Sequence, residues 1–205
     1  MTDPSEPAAV TGHAAPRDVA PLPREAYRAH ADVLARRLLG CVLVVPHDGG
    51  EPLRARITET EAYLGEEDRA CHANRGRTKR TESLYGPPGT AYVYLVYGMH
   101  ELFNVVASEP GDPHAVLVRA VRPLNFDART RGPGLLTRAL GIDRRYDRSD
   151  LTHGPIRIEP GPAPARVRVG PRIGVAYAKD WADAPLRFGD GDDAWVSKPF
   201  PAAAP

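Results

Sequence analysis

The fold is decided by the stretch LRARITETEAYL, residues 53–64, in which apolar and polar side chains alternate well enough for a β-strand. The apolar run CVLVVP, residues 41–46, precedes it and is typical of a buried strand. The turn residues DGG, at positions 48–50, separate the two segments, so we predict an antiparallel hairpin. Glu61 then lies near the end of the second strand.

Several further segments have the composition of strands. Aromatic and β-branched residues predict them at TAYVYLVYG (90–98), FNVVAS (103–108), HAVLVRAVRP (114–123), IRIEP (156–160), RVRVGPRIGV (166–175) and LRF (186–188). Helical patterns are fewer. Strands joined by short connections, with few helices, predict a single α+β domain with an antiparallel or mixed sheet.

Two segments are predicted to be helical. The first begins after Arg24, places the apolar residues of VLARRLL (33–39) on one face and ends at Gly40. The second is GPGLLTRALGI (132–142), with Pro133 near its start and Gly141 at its end, which are favoured positions for these residue types.

Length and composition suit a single soluble domain. The first 23 of the 205 residues include five prolines and little periodic apolar content, so residues 1–23 are predicted to be a disordered tail and residues 24–205 the packed domain. No apolar run approaches the ~20 residues that span a bilayer, and the N-terminal segment lacks the pattern of a secretory signal. We therefore expect a cytoplasmic protein with no membrane contact.

The cysteines and charges exclude some classes of protein. Cys41 and Cys71 are the only cysteines and are not spaced as CxxC, so neither a zinc site nor a disulfide framework is predicted. The net charge is +1, but 24 of the 27 basic residues are arginines. Arg75, Arg77, Lys79 and Arg80 lie close together in the sequence, where they could contact phosphate or simply be solvated.

The segment ITETEAYLGEEDRACH, residues 57–72, has the densest set of chemically reactive side chains. It contains no HExxH or DxD-like spacing, so no metal site is predicted. Most of its acids are expected to be solvated. Glu61 differs because it lies between Thr60 and Ala62 in a strand that also carries Ile57 and Tyr63, where a buried carboxylate requires a reason. Its residue type alone leaves a structural role and an acid/base role open.

Three tyrosines mark the segment AYVYLVYGMHELFNVV, residues 91–106. The period of a strand places Tyr92 and Tyr94 on one face. Tyr97 precedes Gly98, whose backbone freedom suits a turn that could direct the aromatic side chain outward. Such a strand is ordinarily core, although aromatic residues near arginines are also compatible with stacking on nucleic acid bases.

Five blocks together resemble a known family. ETEAYLGxxDxACH (59–72), GPPGTAYVYLVYGMHxxFN (86–104), AVLVRAVRP (115–123), GPGLLTRALGI (132–142) and PRIGV (171–175) are similar, in order, to the alkyladenine (3-methyladenine) DNA glycosylases of the mammalian type, which also occur in bacteria. The resemblance extends from about Ala35 to Ser197. It implies a curved, mainly antiparallel sheet, double-stranded DNA with damaged purines as partner, a monomer, and no metal or other cofactor.

The resemblance also implies roles for individual residues. Glu61 matches the glutamate that activates the attacking water, and Arg119 matches the arginine that helps to hold it. Tyr63, His72 and Tyr94 match residues that line the base pocket, and Asn104 matches the residue at its floor that disfavours normal purines. Residues expected at the DNA are Tyr97, inserted into the duplex, and Met99, Arg75, Arg77, Lys79 and Arg80.

Some positions depart from the family pattern, and other functions compete with it. Leu84 and Tyr85 stand where a Met-Phe pair is expected, and His100 stands where an aromatic residue can occur.

The alternatives to a DNA glycosylase are a damage-specific nucleic-acid-binding module that does not cleave, and a hydrolase of free nucleosides. The presence of Glu61 and Arg119 argues against the first, and an intercalating Tyr97 is unnecessary for the second.

Overall fold

The computed structural model of the chain describes residues 19–48 and 50–201. Most of the predicted tail, residues 1–18, therefore lies outside the described residues. Within the rest of that segment, the Leu22 amide donates a hydrogen bond to the Ile158 carbonyl at 2.8 Å. No helix in the described ranges is long and apolar enough to cross a membrane.

The core of the domain is one curled antiparallel sheet of eight strands. The strands are β1 (Val42–Val45), β2 (Leu53–Leu64), β3 (Ala91–Val96), β4 (His100–Ala107), β5 (His114–Pro123), β6 (Arg157–Glu159), β7 (Val167–Gly170) and β8 (Arg187–Asp190). The main path has the order β3-β4-β5-β2-β1-β6, and the β7-β8 pair joins it through β2. The predicted α+β class and the predicted hairpin of β1 with β2 are confirmed.

The described residues form three short α-helices: α1 (Arg24–Tyr27), α2 (Ala31–Arg37) and α3 (Pro133–Leu140). Helices α2 and α3 pack on the sheet. Helix α3 begins at Pro133 and is capped by Gly141 at φ 66°, the left-handed conformation that favours glycine, as predicted. The helix predicted after Arg24 is divided into α1 and α2. Val33 is exposed rather than buried, so the apolar face of α2 is narrower than its sequence indicates.

The antiparallel register places the site on one face of the sheet. Glu61 in β2 is opposite Leu117 in β5, which is opposite Asn104 in β4, which is opposite Tyr92 in β3. Directly opposed residues of neighbouring antiparallel strands project to the same side. Four strands that are distant in sequence thus bring a carboxylate, an amide and an aromatic ring to a common surface, and α2 covers part of the opposite one.

Candidate active site

A cavity of about 530 Å³ opens on this face of the sheet. Three groups of residues form most of its wall. They are aromatic and histidine side chains (Tyr63, His72, Tyr92, Tyr94, Tyr97, His100, Tyr177), the loop Ile173–Val175, and the start of α3 at Pro133–Leu135. Arg119 and Asn104 supply polar atoms to a mainly apolar enclosure. Its size and composition are those of a binding site for a small organic group.

The Glu61 carboxylate lies behind this wall and is completely buried. Its Oε1 accepts a hydrogen bond from the Ile173 amide at 2.7 Å, and its Oε2 accepts one from the Tyr63 hydroxyl at 2.9 Å. Arg119 Nη1 lies 3.2 Å from the same Oε2. All three of these partners line the cavity. The carboxylate is therefore paired, oriented and adjacent to the space that a ligand would occupy.

Tyr63 is fixed from two sides. Burial, and then the charge of Glu61, raise the pKa of its hydroxyl far above the ordinary value, so it remains a hydrogen-bond donor. The Arg172 guanidinium lies 4.7 Å from the centre of the Tyr63 ring. Arg172 is in turn held by Asp68 in an ion pair whose two side chains are fully buried. Tyr63 therefore has little freedom to move when a ligand enters.

The side wall of the cavity is a cluster of three rings. His72 lies edge-on to Tyr94 at 4.5 Å between ring centres, and Tyr92 and Tyr94 lie 5.1 Å apart. The His72 Nδ1 is 2.9 Å from the Tyr92 hydroxyl. Burial, together with the positive charge of Arg80, lowers the pKa of His72 to about 4. His72 is consequently neutral at physiological pH. The close contact of the Tyr92 and Tyr94 rings confirms the prediction that both lie on one face of β3.

Asn104 lies on the floor between the carboxylate and the aromatic wall. It is buried, and its Nδ2 donates a hydrogen bond to the Tyr92 carbonyl at 3.1 Å. That bond commits the amide nitrogen of Asn104 to the protein backbone.

The turn between β3 and β4 stands at the mouth of the cavity. Tyr97 and Gly98 both have positive φ, 51° and 68°, and the Met99 amide donates to the Val96 carbonyl at 3.1 Å. Left-handed conformation at both central positions gives the tight hairpin turn that matches the twist of its strands. Tyr97 is 86% exposed and Met99 is 70% exposed. Large apolar side chains held out in this way indicate a binding surface.

The four basic residues of the region that precedes β3, Arg75, Arg77, Lys79 and Arg80, are all exposed. Arg77 is paired with Glu82, with its Nε and Nη2 at 2.9 and 2.6 Å from the two carboxylate oxygens. Arg80 lies 5.7 Å from the centre of the Tyr94 ring, at the edge of the cavity. Arg75 and Lys79 form no ion pair with any described residue. The loop therefore adds positive charge next to the aromatic wall.

The expectation that most acids of residues 57–72 are solvated is only partly right. Glu66 and Glu67 are exposed, but Glu59 and Asp68 are as deeply buried as Glu61. Each is compensated by an arginine that is distant in sequence: Arg187 for Glu59 and Arg172 for Asp68. These arginines, with Ser197 and the Ile173 amide, are parts of the site that residue patterns did not reveal. The PRIGV block, which contains two of them, was the available sign.

The cysteines and acids do not assemble into a recognisable metal centre in the described ranges. No group of three or more His, Cys, Asp or Glu side chains there could hold an ion. Cys41 and Cys71 are both buried and unpaired. Burial raises the pKa of Cys71 to about 11, which leaves its thiol unreactive at neutral pH, as expected for a small packing residue.

Comparison with known proteins agrees with this arrangement. The family model of methylpurine-DNA glycosylase (MPG) matches residues 25–194. A Myxococcus xanthus (strain DK1622) protein named "Putative 3-methyladenine DNA glycosylase" is 50% identical over 182 residues, which are 86% of this chain and 93% of that relative. A Legionella pneumophila (strain Lens) protein of the same name is 49% identical, with coverage of 86% and 98%.

A third relative, from Anaeromyxobacter dehalogenans (strain 2CP-C), has the same name and is 50% identical over 184 residues, which are 88% of each chain. The family match covers the whole sheet and every wall of the cavity. The chain belongs to the methylpurine-DNA glycosylase family and is a DNA glycosylase.

Proposed function

We propose that this enzyme removes alkylated or deaminated purines, of the 3-methyladenine, 7-methylguanine, hypoxanthine and ethenoadenine class, from duplex DNA. The damaged nucleotide rotates into the aromatic cavity, and a water activated by Glu61 hydrolyses the bond between base and deoxyribose. The observation that carries this proposal is the buried Glu61 carboxylate, paired with Arg119 directly behind the wall of that cavity. The enzyme acts as a monomer, since one chain supplies every residue of the site.

The geometry of Glu61 suits a general base. A carboxylate has about four lone-pair directions. Ile173, Tyr63 and Arg119 occupy three of them, and we assign the fourth to the attacking water. Glu61 takes a proton from that water while the water oxygen forms a bond to C1′ of the sugar. The electron pair of the broken C1′–N bond leaves with the base. A base alkylated on a ring nitrogen departs as a neutral molecule.

The aromatic wall suits a purine. In this proposal Tyr63 and Tyr94, which both line the cavity, sandwich the extruded base, and His72 forms a hydrogen bond with it. The low pKa of His72 means that this residue adds no positive charge beside an alkylated, cationic base. Electron-rich tyrosine faces attract such cations, and the same tyrosine rings also stack on neutral purines. A broad range of substrates follows from stacking as the main source of affinity.

Selectivity against normal purines is assigned to Asn104. Its Nδ2 is committed to the Tyr92 carbonyl, and the residue is buried at the floor of the cavity. The exocyclic amino group of guanine would meet this fixed amide at close range. A polar group that enters such a floor without a partner loses binding energy, and a base without this amino group, such as hypoxanthine, avoids that loss. 7-Methylguanine retains the amino group, and its positive charge offsets the loss by weakening its bond to deoxyribose.

The turn that carries Tyr97 is proposed to enter the duplex. A base inside a duplex must be extruded before its glycosidic bond can be reached, at a cost of a few kcal/mol. The exposed Tyr97 ring can fill the gap in the base stack, with Met99 beside it against the neighbouring pairs. Arg75, Arg77, Lys79 and Arg80 then contact backbone phosphates, which position the DNA without reading its sequence.

The reaction is proposed to stop at the abasic site. Glycosylases that also cleave the strand use an amine nucleophile, which forms a Schiff base. Lys79 is the lysine closest in sequence to the site, and it lies in the exposed basic loop, where a phosphate contact is the simpler role. Borohydride added during turnover should therefore trap no covalent protein–DNA adduct. An adduct that disappears in Lys79→Ala would assign the nucleophile to that lysine.

The proposal is tested with a duplex that contains one defined lesion. Purified protein is incubated with duplexes carrying hypoxanthine, ethenoadenine or 7-methylguanine, and abasic sites are then cleaved with alkali. Strand breaks at the lesion alone are the expected result. Tight lesion binding without breaks would indicate a non-catalytic damage-binding module, and activity on free nucleosides that exceeds activity on duplex would indicate a nucleoside hydrolase.

A further inference from the structure

A second buried carboxylate stands behind the first. Glu59 precedes Glu61 by two positions in β2 and is also completely buried, but it does not line the cavity. Its Oε1 accepts hydrogen bonds from Ser197 Oγ at 2.9 Å and Arg187 Nη1 at 3.0 Å, and its Oε2 accepts one from the Ser197 amide at 2.5 Å. The proposed reaction makes no direct use of this group.

Arg119 lies between the two carboxylates. Its Nε is 3.4 Å from Glu59 Oε1, while its Nη1 is 3.2 Å from Glu61 Oε2. The Ser197 hydroxyl is 3.3 Å from both Nε and Nη2 of the same guanidinium. Because a guanidinium is planar and its donors are fixed relative to one another, contacts at the Nε edge determine where Nη1 points.

A local irregularity in β2 makes this arrangement possible. The pairing of β2 with β5 changes register on both sides of Glu59, between Ile57 and Glu59 and again between Glu59 and Thr60. Such bulges redirect side chains and are common beside active sites. Here the bulge occurs at the residue that contacts Arg119 from behind.

Arg187 in β8 binds Glu59 and is itself held by the segment that follows β8. Arg187 donates to the carbonyls of Pro171, Lys198 and Pro199 as well as to Glu59, and its guanidinium lies 3.9 Å from the centre of the Phe200 ring. Two buried carboxylates and two buried guanidiniums are therefore interleaved, and their formal charges cancel. Interleaving of this kind satisfies buried charges that would otherwise be strongly unfavourable.

From these contacts we infer that Glu59, held by Ser197 and Arg187, is the positioning residue that keeps Arg119 oriented toward Glu61. The inference rests on the proposed function, in which Arg119 supports Glu61 during water attack. Glu59 touches neither substrate nor water and acts through Arg119 alone. Loss of its charge leaves the Nε edge of Arg119 without its carboxylate partner, so Nη1 moves from Glu61 while the aromatic cavity stays intact.

The test is a double-variant cycle on single-turnover excision of a lesion in duplex DNA, with Glu59→Gln and Arg119→Gln alone and combined. We expect Glu59→Gln to lower the plateau rate about 10- to 100-fold, since small errors in catalytic geometry have effects of this size, and to leave the half-saturating protein concentration unchanged. In the Arg119→Gln background, the same change should lower the rate less than about threefold, because residues that act through one another are not additive.

Equal fractional losses in both backgrounds, or an unchanged rate in Glu59→Gln, would overturn the inference. Wild type and Glu61→Gln are run beside these variants. An inactive wild type or an active Glu61→Gln would instead contradict the proposed function itself, so the two failures are distinguishable.

Ser197→Ala provides a second variant if Glu59→Gln does not fold. It removes only the hydroxyl that contacts both Glu59 and Arg119, and we expect a loss of about three- to tenfold in plateau rate that vanishes in the Arg119→Gln background. The matched control is Ser108→Ala, which removes a hydroxyl hydrogen-bonded to Asp112 in the loop between β4 and β5. An equal effect of the two serine substitutions, or none from Ser197→Ala, would contradict the positioning role.

Discussion

The buried ion-pair layer behind the cavity and the rim of the cavity are constructed in opposite ways. In the buried layer, Glu59, Glu61 and Arg119 are almost inaccessible to solvent, and every charge is paired and hydrogen-bonded. On the rim, Tyr97 and Met99 project from a turn with 86% and 70% of their surface exposed. The buried layer holds its charged groups in one fixed arrangement, whereas the rim leaves apolar surface exposed, as binding surfaces do.

The same contrast separates two kinds of energetic role. Buried ion pairs behind the cavity stabilise the fold and, in the proposed function, orient the reactive groups, so changes there should affect stability and rate. Exposed side chains on the rim contribute little to folding and should affect binding alone. Four predictions test this division, beginning with the largest effect.

Asp68→Ala should have the largest effect on folding. It removes one partner of a fully buried ion pair and leaves the Arg172 guanidinium behind Tyr63 without its carboxylate. Breaking such a pair costs about 3–5 kcal/mol in the free energy of unfolding. The neighbouring exposed acid supplies the control, since Glu67→Ala should stay within about 0.5 kcal/mol of wild type. Similar values for both variants in urea denaturation would refute the distinction between buried and exposed charges.

Tyr97→Ala should weaken capture of a lesion in duplex DNA about tenfold and leave the unfolding free energy unchanged. The ring is needed only where a gap opens in the base stack, so binding to the same lesion in a single strand should barely change. Both affinities can be measured by fluorescence anisotropy with an enzyme that binds but does not cleave. A loss that is equal for duplex and single strand would remove the intercalating role.

His72, in the side wall of the cavity, makes the stability of the folded protein depend on pH. Its pKa is about 4 in the folded protein, below the ordinary 6.5, so the unfolded chain binds a proton more readily between these values. Stability is therefore complete above pH 6.5 and decreases as the pH falls toward 4, by on the order of 1 kcal/mol once solvent screening is allowed for. His72→Gln should lose less stability than wild type between pH 7.5 and 4.5. Identical losses in urea denaturation would contradict this.

Asn104→Ser should have the smallest effect, a change of a few-fold in the choice of base. The shorter side chain enlarges the cavity floor and removes the amide that is fixed by the Tyr92 carbonyl. Excision of normal guanine should rise relative to excision of hypoxanthine, which lacks the exocyclic amino group, in otherwise identical duplexes. An unchanged ratio would indicate that selectivity depends on the ease of base extrusion rather than on the floor.

Residue patterns predicted the sheet well because local alternation determines it. The hairpin of β1 and β2, the strands β3 and β5, and the capped helix α3 all follow from period-two apolar positions and from glycine or proline at their ends. The helix predicted after Arg24 was less accurate, since it is divided into α1 and α2 and leaves Val33 exposed. Tertiary packing, rather than helix periodicity, determines which side of α2 is covered.

Within the site, patterns identified single side chains but not their partners. Glu61 could be identified as a carboxylate in a strand predicted to be buried, and Tyr97 as an aromatic residue before a glycine. In the sequence, Glu59 and Asp68 cannot be distinguished from solvated acids. The arginines that neutralise their charges, Arg187 and Arg172, lie more than 100 positions away in the chain. Pairing over such distances is created by the fold, and no local pattern encodes it.

The central claim is that the buried carboxylate of Glu61 activates the water that breaks the glycosidic bond. Single-turnover excision by Glu61→Gln on a duplex with one lesion tests it most directly, because glutamine preserves the size of the side chain but cannot accept the proton. We expect the rate to fall at least ~10²-fold, within the range that general-base catalysis contributes, with lesion binding unchanged. Excision at the wild-type rate by a folded Glu61→Gln enzyme would contradict it.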